Sequence, residues 1–163
     1  MKRIWIWLLA AGALAMTGLW PMESCDVAEL QPARVLMITM ENGRIAADCG
    51  EASGSGATLD EALRDMERTA QGNLCLDTAE RVLIHTSAYA VLPQAAQSDA
   101  LRPAAKVYLV EGELPEAEAA SKFLQTHSGR VTLGRVRAAI LGAGSVQPPH
   151  LVSREGRLRL IEQ

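Results

Sequence analysis

The order of short apolar runs and turn signals predicts an α+β fold: a mixed β-sheet packed by about four helices, preceded by an N-terminal export or anchor segment. Three observations support this prediction. Short β-rich runs alternate with stretches of helical periodicity along the chain. A hairpin signal lies near each end of the domain, at Asn42-Gly43 and at 154–157. Residues 1–24 are mostly apolar, and residues 25–163 are expected to form a single domain.

The composition excludes several classes of protein. The chain has 163 residues, of which 48% are hydrophobic and 21% charged, so it is not a disordered or low-complexity chain. All three tryptophans lie in the first twenty residues, and the rest of the chain has few aromatic rings for stacking bases. The formal net charge is −3, whereas affinity for nucleic acid comes mostly from neutralising phosphates. We therefore expect no nucleic-acid partner.

Residues 1–24 have the layout of a secretory signal or membrane anchor. Lys2 and Arg3 precede an apolar run over 4–19, and the positive end is expected to stay in the cytoplasm. Cys25 follows where a bacterial lipoprotein would be cut and acylated, and Ser24 before it suits that signal. We expect export followed by attachment to the membrane. Lipidation of Cys25, cleavage after 13–15 and an uncleaved leader are all open.

The two other cysteines and the uneven charge describe the exported domain further. Export would allow Cys49 and Cys75 to form a disulfide, and the alternative is that both are small buried apolar side chains. Residues 25–121 have 7 basic and 16 acidic side chains, a net of −9. Residues 122–163 have 7 basic and 2 acidic side chains, a net of +5. This asymmetry is typical of solvated faces, although a cationic face could also meet an anionic membrane.

The first half of the domain contains a predicted hairpin and the most secure helix. Strands over 35–39 and 45–49 flank the Asn-Gly turn, and the Gly- and Ser-rich stretch 51–57 is predicted as a flexible loop. A helix then begins at Thr58 with a capping box and ends at Gly72. Its apolar positions recur at helical spacing in one stripe, made of Leu59, Ala62, Leu63, Met66 and Ala70.

The second half alternates strands and helices more regularly. A wholly apolar run predicts an interior strand, and proline and glycine positions suggest where the helices begin and end. The predicted elements are a strand at 82–84, a helix over 87–97 interrupted at Pro93, a strand at 106–110, a helix from Pro115 to about His127, a helix over 132–141 closed by Gly142, and a hairpin of 151–153 with 158–160.

No catalytic, cofactor or metal site is predicted. The three histidines are His85, His127 and His150, and none lies in a spacing typical of zinc ligands. No nucleophile motif or phosphate-binding loop is present in the sequence, and His127 is explained by its place at a helix C-terminus. The remaining enzymatic hypothesis is a small hydrolase that uses His85 or Cys75.

Several motifs in a fixed order resemble a known family. In chain order they are Ser24-Cys25-Asp26-Val27-Ala28-Glu29-Leu30, then Gly56 to Arg64, then Arg81-Val82-Leu83-Ile84, Leu101-Arg102, Glu111-Gly112, Pro149-His150-Leu151-Val152 and Gly156 to Leu160. Together they resemble the N-terminal domain of the Ger(x)C lipoproteins, the C subunits of spore nutrient-germinant receptors. Trp is absent after Cys25, Ala79-Glu80 stands where the family often has Gly-His, and the family continues into two further domains.

The resemblance implies a non-enzymatic subunit that carries a lipid (palmitate) on Cys25. It would lie on the outer face of the cytoplasmic membrane, which is the spore inner membrane, beside A and B subunits during germination. The chain is then a single-domain relative or a truncated one. The alternative functions are a binding module of another envelope system and the small hydrolase named above.

Overall fold

The fold is organised around one seven-stranded sheet. A computed structural model describes residues 30–154 and 156–161, so the leader and Cys25 lie outside the described residues. The strands are β1 (Leu30–Pro32), β2 (Val35–Glu41), β3 (Arg44–Asp48), β4 (Ser53–Gly56), β5 (Asn73–Cys75), β6 (Arg81–His85), β7 (Lys106–Gly112), β8 (His150–Arg154) and β9 (Arg157–Ile161). The α-helices are α1 (Leu59–Thr69), α2 (Leu92–Gln97), α3 (Ala117–Thr126) and α4 (Leu133–Ile140).

The seven strands lie in the order β4-β3-β2-β6-β7-β8-β9. The four central strands, β2, β6, β7 and β8, are parallel to one another, and an antiparallel hairpin extends the sheet at each side. This confirms the predicted α+β class, with a mixed sheet and four helices. Strands β1 and β5, which form a separate two-stranded sheet, were not predicted.

The turn between β2 and β3 is the one that the Asn-Gly pair predicts. Asn42 has a φ of 51° and Gly43 a φ of 76°, so both central residues are left-handed. Two left-handed residues make the type I′ turn, whose twist matches that of a hairpin. The turn brings Glu41 opposite Arg44 in the register of β2 and β3.

The predicted flexible loop over 51–57 is wrong, because Ser53–Gly56 forms β4, an edge strand. Its glycines have a packing role rather than a role in flexibility. A Cβ added at Gly54 would lie 2.2 Å from the backbone nitrogen of Met66, and one at Gly56 would lie 2.4 Å from Cβ of Glu61. Only glycine therefore lets α1 pack this closely on the strand.

Helix α1 confirms its predicted N-cap and apolar stripe, but it ends at Thr69, with Ala70 as its C-cap, before the predicted end at Gly72. The Thr58 hydroxyl accepts a hydrogen bond from the Glu61 N–H at 3.3 Å, and the Glu61 carboxylate accepts one from the Ala57 N–H at 2.8 Å. The first contact satisfies a donor that a helix N-terminus leaves without a partner, and the second binds the N–H one residue before the cap. Four residues of the predicted stripe are buried and Ala70 is half-buried, so the stripe faces the core. The buried four are Leu59, Ala62, Leu63 and Met66.

Two prolines differ in role from the prediction. Residues 86–91 form a 3-10 helix and α2 follows directly, with Pro93 in the first turn of α2. A proline lacks an N–H that the first turn does not need, so Pro93 begins this helix rather than interrupting one. Pro115 precedes α3, whose N-cap is Glu116, instead of lying in its first turn.

The core has two sides because alternate residues of the central strands point to opposite faces of the sheet. On one face Ile38, Ile84 and Leu109 pack with α1, α2 and α4. On the other face Leu83 and Tyr108 pack with α3. Each fully buried side chain of this size contributes about 1.5–3 kcal/mol through removal of its surface from water.

Strand β7 has two different neighbours along one of its edges. The Val107 N–H donates to the Val131 carbonyl at 3.0 Å, and the Leu109 N–H donates to the Pro149 carbonyl at 3.0 Å. The first partner precedes α4, whereas the second immediately precedes β8. Helix α4 and the loop after it therefore leave the sheet beside β7 and return to the same edge.

Candidate functional site

The carboxyl ends of β6 and β7 form the most distinctive place for a site in the described residues. After β6 the chain passes to the face that carries α2, and after β7 it passes to the opposite face, which carries α3. In open sheets with parallel strands, ligands bind where neighbouring connections diverge in this way, because the divergence leaves a crevice. The side chains at these two strand ends are therefore the first candidates.

His85 bridges the two strand ends. Its Nδ1 lies 2.7 Å from the Ser87 hydroxyl oxygen and also accepts the Ser87 backbone N–H at 3.1 Å. Its Nε2 lies 3.0 Å from the Gly112 carbonyl oxygen at the end of β7. Because Nδ1 accepts from a backbone N–H, these contacts assign the ring hydrogen to Nε2, which donates to Gly112.

Gly112 is shaped for this contact. Its φ is +91°, and an added Cβ would lie 2.3 Å from the Ser153 carbonyl oxygen of the neighbouring strand. A side chain is thus excluded by both the backbone conformation and the space. His85 was a candidate from the sequence, but its partners Ser87 and Gly112 were not predicted. His85 and Gly112 meet only through the pairing of β6 with β7.

The contact between Ser87 and His85 has two chemical interpretations. A hydroxyl beside an imidazole, which a carbonyl orients in turn, is the geometry of an activated nucleophile. The same imidazole nitrogen also caps the 3-10 helix that follows β6, since it accepts the first free N–H. The cap at Nδ1 and the bond from Nε2 to Gly112 together account for both nitrogens of His85 without any substrate.

His150 makes the second histidine contact at this side of the sheet. Its Nδ1 lies 2.5 Å from a carboxylate oxygen of Glu111, and the side chains are 16% and 47% exposed. Its Nε2 is buried and has no hydrogen-bond partner in the part of the chain that the structure describes. His127 caps the end of α3, where its ring stacks on Phe123 with centroids 4.4 Å apart. The Glu111–His150 contact and the Phe123–His127 contact each join neighbouring parts of the fold.

The cysteines are placed apart from the histidines. Cys49 is buried and its thiol lies 3.5 Å from the Ala52 carbonyl oxygen, while Cys75 is half-buried with its thiol 4.0 Å from the Asn73 carbonyl oxygen. Both are free thiols, and the disulfide between them stays a prediction. No hydrogen bond among the described residues joins Cys75 to His85. The lipidation predicted at Cys25 falls outside the described residues.

An open groove of about 710 Å³ runs between the outer face of α1 and the β4 edge. Its charged lining mixes both signs: Arg44, Glu61, Arg64, Asp65, Glu67 and Arg68. Asp65 already accepts the Ser55 N–H at 3.0 Å and pairs with Arg68 at 3.2 Å. Asp65 therefore serves the fold, and the mixed charge of the groove is that of an ordinary solvated face.

Metal-binding clusters and membrane-spanning helices are both absent from residues 30–154 and 156–161. No group of three His, Cys, Asp or Glu side chains is placed to hold a metal ion there. No helix in these ranges has the length and apolar character needed to cross a bilayer.

Comparisons with family models, curated proteins and solved structures gave no match to this chain. The resemblance to the Ger(x)C lipoproteins therefore depends on the order of the sequence motifs alone.

Proposed function

We propose that this chain is a non-enzymatic, membrane-attached module that works by assembling with membrane proteins, as a C subunit of a germinant receptor would. The observation that carries the proposal is the order of the sequence: a leader, Cys25, and then one domain with the Ger(x)C-like motifs in sequence. The partners would be A and B subunits. The location would be the outer face of the cytoplasmic membrane, which is the spore inner membrane.

The contacts of the ionisable side chains are compatible with this proposal. His85, His127 and His150 each contact a neighbouring backbone or side-chain group that holds the fold together. A module of this kind acts through a surface, and its membrane anchor raises the local concentration that a membrane partner meets. Loss of the anchor should therefore weaken assembly without unfolding the domain.

Metabolic labelling with a fatty-acid analogue tests the anchor. The wild-type chain should incorporate the label, and Cys25→Ala should not. The matched control is Cys75→Ala, which removes a half-buried thiol and should leave labelling unchanged. Equal labelling of wild type and Cys25→Ala, or no labelling of either, would reject lipidation at Cys25.

Assembly is tested by co-purification with A- and B-subunit-like proteins and by a germination assay. Single replacements of His85, His127, Cys49 and Cys75 should change either readout by no more than several-fold, whereas Cys25→Ala should reduce both. Neighbouring genes that encode A- and B-subunit-like proteins would favour this function. Genes of another envelope system in that place would favour the alternative of a generic exported binding module.

A small hydrolase is the second candidate, and the distance of 2.7 Å between the Ser87 hydroxyl and the His85 ring favours it. A panel of ester, peptide and glycoside substrates tests it directly. Ser87→Ala should abolish any turnover, while Ser98→Ala, which removes a hydroxyl that accepts the nearby Ala100 N–H, should retain it. Absence of turnover in the wild type, or turnover that survives Ser87→Ala, rejects this candidate.

A further inference from the structure

The last turn of α4 holds two large apolar side chains in solvent. Leu141 is 80% exposed and Ile140 is 44% exposed, and they are adjacent in the chain. Exposed glycine, alanine and serine follow them, so residues 140–145 form a protruding end that we define as the α4 tip. An apolar side chain gains free energy whenever a contact removes it from water. The tip is thus a surface that favours contact with a partner that has an apolar region.

The backbone holds the α4 tip in a defined shape. Gly142 is left-handed, with a φ of +94°, and its N–H donates to the Ala139 carbonyl at 3.0 Å. The Ala143 N–H donates to the Ala138 carbonyl at 2.9 Å. This pair of hydrogen bonds is the Schellman motif, which closes a helix C-terminus. The exposure of the two apolar side chains is therefore a property of an ordered helix end rather than of a frayed one.

The stretch of chain that contains the α4 tip carries formal charge of one sign. Residues 119–154 contain five basic side chains and no acidic ones. All five are exposed: Lys122, Arg130, Arg135, Arg137 and Arg154. Arg137 lies four residues before Leu141, so the two side chains emerge on the same side of α4. No salt bridge among the described residues involves Arg137. An unpaired arginine beside an exposed leucine is the combination by which segments bind at the interface of an anionic bilayer.

We propose that the α4 tip is a second membrane contact of this protein. Leu141 and Ile140 enter the boundary between headgroups and acyl chains, and Arg137 pairs with the phosphates of anionic lipids. This inference rests on the proposed function, because the leader must first bring the domain to the membrane. Its consequence is orientational: an anchor and a tip together fix which face of the domain is presented to a membrane partner.

Hydrogen exchange of the full chain in lipid nanodiscs tests the contact. One set of discs contains phosphatidylcholine alone, and the other contains phosphatidylcholine and phosphatidylglycerol in equal amounts. Peptides that cover the α4 tip should exchange more slowly on the mixed discs by about fivefold, the factor that one arginine contributes at an anionic surface. Peptides from β6 and β7 should exchange alike on both.

Two variants and two matched controls assign the effect to these residues. Leu141→Ser removes the apolar contact, and Arg137→Glu reverses the charge; each should abolish the difference between the discs. The control for the leucine is Tyr89→Ser, since Tyr89 is 54% exposed but lies outside the acid-free stretch. The control for the arginine is Arg68→Glu, the same change in the last turn of α1. Both controls should keep the difference between the discs.

The outcomes separate this inference from the proposed function. Retention of the chain on the discs reports on the leader, whereas protection of the α4 tip reports on the second contact. Retained chains whose tip exchanges equally on both discs would overturn the inference and leave the membrane-attached module intact. Protection that survives Leu141→Ser, or that arises only after a protein partner is added, would also overturn it.

Discussion

The two edges of the seven-stranded sheet are protected in different ways. At one edge, side chains satisfy the outward backbone groups of β4: the Thr69 hydroxyl donates to the Ser53 carbonyl at 2.6 Å, and Asp65 accepts the Ser55 N–H at 3.0 Å. At the other edge, no side-chain hydrogen bond among the described residues reaches β9. Strand β9 instead places Arg157 and Arg159 in solvent, while Leu158 and Leu160 pack towards α3.

The difference shows two solutions to one physical problem. An open edge exposes backbone groups that another strand can pair with, and proteins block it by covering it or by charging it. β4 is covered, and this requires glycine because the helix must come very close. β9 is charged, and this requires only two exposed arginines. The covered edge should therefore depend on packing, whereas the charged edge should depend on solution conditions.

The largest expected effect is that of Gly54→Ala. The added Cβ would lie 2.2 Å from the Met66 nitrogen and 2.4 Å from the Ala62 carbonyl oxygen, both in the backbone of α1. Helix and strand must separate, so the free energy of unfolding should fall by about 3 kcal/mol. Urea denaturation measures it. The control Ser55→Ala, in the same strand, should change stability far less, and equal losses would contradict the close packing.

Removal of the cap of the covering helix should have a smaller effect. Thr58→Ala deletes the hydroxyl that accepts the Glu61 N–H and should lower the free energy of unfolding by about 1 kcal/mol. Thr132→Ala removes the corresponding cap of α4, which accepts the Arg135 N–H, and should have a similar cost. Only the first variant should speed hydrogen exchange in β4. If both variants affect β4 equally, the covered edge does not depend on α1.

The hydrogen bond from helix to edge strand should contribute less still. Thr69→Val removes the bond to Ser53 and a local bond to Met66. Thr126→Val is the control, because its hydroxyl makes a matching local bond to the Phe123 carbonyl and a contact with the adjacent His127 ring, but none to a strand. In urea denaturation, Thr69→Val should lower the free energy of unfolding by about 0.5 kcal/mol more than the control does. A cost equal to the control would mean that solvent replaces the bond to β4.

Removal of the charges from the β9 edge should change the association between molecules rather than the free energy of unfolding. Arg157→Thr combined with Arg159→Thr should leave the free energy of unfolding within about 0.5 kcal/mol of wild type, because both side chains are exposed. The uncharged edge should then pair between molecules, which analytical ultracentrifugation in detergent would show as larger species. Arg64→Thr with Arg68→Thr removes the same charge from α1 and should stay as wild type. Association of both double variants would point to net charge instead of the edge.

Local signals in the sequence were sufficient for the elements that local contacts hold. The Asn-Gly turn, the cap at Thr58, the stripe of α1 and the end of α4 at Gly142 were all predicted and are confirmed, because each depends on residues within a few positions. β4 could not be predicted in this way. Its Ser-Gly-Ser-Gly sequence has little strand propensity, and pairing with β3 and the close approach of α1 hold it in place.

The candidate site shows the same limit. His85 was singled out as a residue type, but its partners were not, because Gly112 lies 27 positions away and reaches it only through strand pairing. The tip of α4 was likewise visible as a helix end but not as a surface. Burial decides that Leu133 and Val136 face the core while Leu141 faces solvent, and a helical period alone does not.

The double pairing of β7 has a consequence for how this domain tolerates change. Val107 and Leu109 hold Val131 and Pro149, so the two ends of the segment that contains α4 are fixed about 7 Å apart on one strand. Insertion after Ser145, which is exposed and lies beyond the hydrogen bonds of Gly142 and Ala143 that shape the α4 tip, should leave the register of β8 unchanged. The chain just after the α4 tip is thus a site where longer loops, tags or reporter sequences can be inserted without changing the pairing of the sheet.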